Sequence, residues 1–110
     1  MTNNDRELIE RAATAAGITI CAITSKGVAQ GMNGACHVQF WNPLADDGDA
    51  LRLAVKLGMS LYINDKYCIA EILSDSESQP IHEKEYCDNG TKDAATRRAI
   101  VRAAAATVEP

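Results

Sequence analysis

Residues 93–108 constrain this chain more than any other segment. They include Ala94, Ala95, Ala99, Ala103, Ala104, Ala105 and Ala106. Alanine loses no side-chain entropy in a helix, so the run predicts a strong helix over 93–108. A helix with so little side-chain bulk lets its backbone approach a sheet closely. Aromatic residues make up only 5% of the chain, so the core must rest on Ile, Leu, Val and Ala. Thin, closely approaching layers follow, rather than a bulky centre. With 110 residues, the chain predicts a single domain over 1–110. That length buries a core without the disulfides or metals needed below about 40 residues.

Two further helices and several strands are expected to pack with this element. Residues 5–16 place Leu8, Ile9, Ala12, Ala13 and Ala16 on one apolar face. Asn4 is the expected N-cap, with Glu7 three residues on. Residues 18–24 and 35–41 read as strands, and the glycine-bearing stretch 25–34 as a loop or irregular hairpin. Residues 46–57 predict a helix burying Ala50, Leu51, Leu53, Ala54, Val55 and Leu57, closed by Gly58. Residues 60–63 and 67–73 form a hairpin over Asn64, Asp65 and Lys66. A polar stretch over 74–80 follows. Residues 81–87 suggest a short edge strand made soluble by Glu83, Lys84 and Glu85, and 88–90 a turn. The expected class is α+β, in the order αββαββ(β)α, with a mainly antiparallel sheet packed by three helices. Two layers are preferred; an α-β-α sandwich is the alternative.

Charge and cysteine usage narrow the function classes. Fifteen acidic residues against eleven basic ones give a net charge of −4. Non-specific nucleic-acid binding needs a basic surface, so this balance disfavours it. Cys21, Cys36, Cys68 and Cys87 form no C-x-x-C pair. The polar start of the chain and the lack of an apolar run near ~20 residues point to a cytoplasmic protein with reduced thiols and no membrane span. No glycine-rich phosphate loop is present, because Gly27, Gly31 and Gly34 are irregularly spaced and precede a strand. No cofactor is implied.

Trp41-Asn42-Pro43-Leu44, continued by Asp46-Asp47-Gly48-Asp49-Ala50-Leu51-Arg52-Leu53-Ala54-Val55-Lys56-Leu57, resembles a block in small tailed-phage and prophage proteins. The run Ala94-Ala95-Thr96-Arg97-Arg98-Ala99-Ile100-Val101-Arg102-Ala103-Ala104-Ala105 and an N-terminal helix over 8–17 extend the likeness. Together they resemble the phage α/β sandwich-domain family. The resemblance implies a phage or prophage origin and a sandwich fold in a bacterial host cytoplasm. It carries no catalytic residues with it.

Several residue groups are candidate sites. Asp46, Asp47 and Asp49 are the densest acidic cluster, and hard cations such as Mg²⁺ or Ca²⁺ seek clustered oxygens. The competing account is that carboxylates at a helix N-terminus are stabilised by its dipole, with Asp46 as N-cap. Cys36, His37, Cys68 and Cys87 could contribute to a zinc site, but Cys36 and His37 point to opposite strand faces. His37, Gln39 and Trp41 share one face of their strand. That face is a partner or dimer surface if the helices cover Phe40 instead. Alternatively, Trp41 closes the edge of the core. Arg97, Arg98 and Arg102 offer a small anion or nucleic-acid face, or else pair with Asp93, Glu109 or the 46–49 cluster.

The leading expectation is a phage accessory protein without catalytic activity. It would act by binding another protein, a host factor among the candidates, or by self-association as a homodimer. A metal-dependent or nucleotide-acting enzyme using Asp46, Asp47 and Asp49 is the alternative. A weak nucleic-acid binder through Arg97, Arg98 and Arg102 is the third reading.

Overall fold

Thr91 and Asp46 start two of the helices by the same device. Thr91 accepts a hydrogen bond from the Ala94 amide at 3.1 Å, and Asp46 accepts one from the Asp49 amide at 2.8 Å. Each satisfies a donor that the first helical turn leaves open. The computed structural model describes residues 3–24, 27–32, 35–73, 80–87 and 91–108, with the side chains of residues 3, 21, 29–32 and 35–39 outside the description. In chain order the elements are α1 (Asn3–Ala15), β1 (Ile20–Thr24), β2 (Gly27–Met32), β3 (Ala35–Trp41), α2 (Asp47–Leu57), β4 (Ser60–Ile63), β5 (Tyr67–Ile72), β6 (Ile81–Tyr86) and α3 (Lys92–Ala106). The fold is α+β.

The strands form two antiparallel sheets, β1-β2-β3 and β4-β5-β6. β2 lies where the sequence pointed to a loop or irregular hairpin. Its glycines read as loop signals but serve two sheet functions. Gly27 takes φ +119°, and a Cβ there would lie 2.5 Å from the Trp41 carbonyl oxygen. Only glycine fits that approach. The second function is an irregularity: the β2–β3 register shifts between Ala29 and Gly31, as at a bulge. The first helix also begins at Asn3, so Asn4 lies within it and is not its cap. Residues 74–79, most of the polar stretch, and the expected turn at 88–90 lie outside the described residues.

Helix α3 is the hub. It packs on β5 and β6, and also against α1 and α2. Ala99, Ala103 and Ala104 are buried on it, facing a core that also takes Ala12, Ala13 and Ala16 from α1. Small residues on both helices allow the close approach that the composition requires. Helix α1 in turn packs on β1 and β2. The larger core members are Ile9, Val28, Leu53, Ile100 and Val101, with Trp41. Gly58 ends α2 in the left-handed conformation, at φ 65°, and its amide turns back to the Ala54 and Val55 carbonyls.

Helix α2 departs from expectation in an instructive way. Ala50, Leu53 and Ala54 are buried, but Leu51 and Val55 are 59% and 71% exposed. The predicted apolar face is two stripes. Ala50, Leu53, Ala54 and Leu57 follow the i, i+3, i+4, i+7 spacing of a core face. Leu51 and Val55, four apart, form a separate stripe that the core does not cover.

Candidate functional site

The uncovered stripe of α2 borders a groove. About 230 Å³ of space lies between α2, β4 and α3, walled by Ala50, Leu51, Leu61, Ile63 and Ile100. Its rim carries both signs of charge, from Asp47 and Asp93 and from Lys92 and Arg97. Lys92 also pairs with Asp65 at 2.5 Å, tying α3 to the β4–β5 turn. That hydrogen bond and charge hold the Asp65 carboxyl below its ordinary range and the Lys92 ammonium above its own.

Every residue of β4 is exposed. Among the described residues it pairs only with β5, leaving its other side an open edge. Leu61 and Ile63 sit opposite Ala70 and Cys68, on the face that α3 covers. Tyr62 sits opposite Ile69, on the outer face. The chain's three tyrosines gather there. Tyr62 stacks on Tyr67 with ring centres 6.0 Å apart, and Tyr67 meets Tyr86 edge-on at 6.3 Å. Lys84 caps the group, its ammonium 4.1 Å from the Tyr67 ring centre.

The acidic cluster is knitted into the architecture. Asp46 caps α2. Asp49 accepts from the Asn42 amide at 2.9 Å and from Arg52 at 2.7 Å. Asp47 pairs with Arg97 at 2.5 Å, and the same arginine donates through Nε to the Leu44 carbonyl at 2.9 Å. The segments 41–57 and 94–105 therefore meet in space. Asp46→Ala is expected to cost about 0.5–2 kcal/mol, the usual worth of an N-cap, as a drop in the urea unfolding midpoint. Among the described residues, no group of three or more His, Cys, Asp and Glu side chains is placed to hold a metal ion. Cys68 is buried in β5 and Cys87 half-buried beyond β6.

Trp41 is only 6% exposed, while its neighbour Phe40 is 37% exposed. The helices cover the Trp41 face, the reverse of the arrangement that would make it a docking surface. It sits opposite the buried Val28 and beside a cleft lined by Ala16, Ile18 and Leu53. His37 and Gln39 lie on β3, and their side chains are outside the described residues.

Arg98 and Arg102 face inward to carboxylates. Arg98 pairs with Asp5 at 2.9 Å and lies 3.8 Å from Glu85. Arg102 pairs with Glu83 at 3.0 Å and closely with Glu85. Glu83 and Glu85 thus turn toward α3 and do not simply solubilise an edge. His82, Lys84 and Tyr86 take the outer positions. Asp5, Asp47, Glu83 and Glu85 answer the positive charge of Arg97, Arg98 and Arg102. The attraction such a face exerts on phosphates is correspondingly weak. Arg102→Ala is expected to lower stability by about 1–2 kcal/mol, read by thermal melting, because two half-buried carboxylates lose their partner while solvent screens part of the loss.

Sequence reasoning did not pick out the groove, the β4 edge or the tyrosine group. One signal was present: β4 carries no charge, whereas β6 carries His82, Glu83, Lys84 and Glu85. No family model matches the chain, and neither do the curated proteins or the solved structures searched. No helix among the described residues is long and apolar enough to cross a membrane.

Proposed function

We propose that this chain is a non-catalytic accessory protein that works by contact with another protein, through the surface made by α2, β4 and the groove between them. The observation that carries the reading is the exposure of Leu51, Leu61 and Ile63 together around that groove, beside an uncharged open strand edge. Contiguous apolar surface of this kind marks interaction sites on soluble domains. The engagement of Asp46, Asp47 and Asp49 by their neighbours supports contact over metal-dependent chemistry. The resemblance of 41–57 and 94–105 to small tailed-phage proteins supports a phage or prophage accessory role in the bacterial host cell.

Affinity capture from bacterial lysate tests this, with the full chain as bait beside Leu51→Glu and Ile63→Lys variants. Both variants are expected to keep the wild-type melting temperature and to lose whatever the wild type retains, a second copy included. Equal retention by all three baits would contradict the reading.

A further inference from the structure

We infer that the partner for the β4 edge is a second copy of this chain, joined by antiparallel β4–β4 pairing about a two-fold axis at Tyr62. This rests on the contact reading above and names its occupant.

Hydrogen-bond directions along β4 set the register. The Asn64 amide donates to the Tyr67 carbonyl at 3.0 Å. Bonded pairs alternate along an antiparallel ladder, so Tyr62 bonds toward β5 while Leu61 and Ile63 aim their amides and carbonyls at the open edge. Two copies laid antiparallel then exchange bonds between Leu61 of one and Ile63 of the other, and the reverse. Tyr62 faces its own counterpart in the closely spaced, unbonded pair between them. Leu-Tyr-Ile is thus complementary to itself under two-fold rotation.

Three further observations favour a second copy over a foreign strand. Ser60–Ile63 holds no charge, so self-pairing brings no like charges together. The far edge, β6, bears the charges that block such pairing. The stacked Tyr62–Tyr67 group lies on the outer face, so the two-fold sets Tyr62 beside Tyr62 and runs the aromatic row through both copies. On the other face, Leu61 and Ile63 of each copy meet across the junction next to the groove and Leu51. The product is one six-stranded sheet with a closed, isologous interface.

Sedimentation equilibrium on the full chain reads the result, from micromolar to near-millimolar concentration. The wild type is expected to reach twice the 11.8 kDa chain mass. Tyr62→Lys and Tyr62→Glu, each placing like charges face to face, should each remain at the single-chain mass. Mixing the two variants should restore the double mass, since opposite charges then meet at the axis. Circular dichroism checks that both variants fold, and the wild-type mass decides the matter even if one does not. A monomeric wild type would overturn the proposal, as would a Tyr62→Lys dimer or a mixture that stays monomeric. A monomer whose capture of a different protein is abolished by Ile63→Lys would overturn the dimer alone and leave the contact reading standing.

Discussion

Trp41→Ala is expected to cost about 3–5 kcal/mol of unfolding free energy, the usual loss on truncating a large buried aromatic residue. Trp41 is the only tryptophan in a chain with few aromatic residues. It is buried against a core otherwise built from aliphatic and alanine side chains. Neighbouring alanines have no long side chains to swing into the space it would leave, so the cavity persists. Phe40→Ala, one residue away on the exposed face, should cost well under half as much. Urea denaturation of the two variants measures the contrast. Equal costs would mean that the helices do not select the Trp41 face of β3.

Leu53→Ala gives the second large effect, at about 2–5 kcal/mol. Leu53 is 2% exposed and joins α2 to the core. Leu51, two residues earlier on the same helix, points away from that core. Leu51→Ala should stay within about 0.5 kcal/mol of the wild type, as surface substitutions do. The pair separates residues that hold the fold from residues left available for contact. Thermal melting of both variants in dilute solution reads the difference without interference from association.

The local signals in the sequence were strong where one physical cause acts alone. Asp46 as a cap, Gly58 as a helix stop and the alanine run of α3 each express a backbone preference. Such preferences do not depend on distant residues. The hairpin of β4 and β5 was legible for the same reason. β2 was hidden because Gly27 and Gly31 carry the composition of a loop while serving a close approach to β3 and a register shift in a sheet. Which face of β3 is covered depends on where the helices land, and alternation along a strand cannot tell one face from the other. The candidate site was obscured by the same ambiguity. Leu51 and Val55 look like core residues until the position of α3 shows that the core ends at Ala50, Leu53 and Ala54. Glu83 and Glu85 look like edge charges until Arg98 and Arg102 arrive from α3, in helix positions visible only once the chain is folded.

Residue-resolved amide hydrogen exchange of β4 tests the central claim most directly. The claim is that this edge and its groove form an open binding surface. In dilute solution the Leu61 and Ile63 amides should exchange rapidly and the Tyr62 amide slowly. When the surface is occupied, by a second copy at high concentration or by a captured protein, Leu61 and Ile63 should become as protected as Tyr62. Slow exchange at Leu61 and Ile63 in the dilute, isolated chain would contradict the account, because the edge would then already be covered.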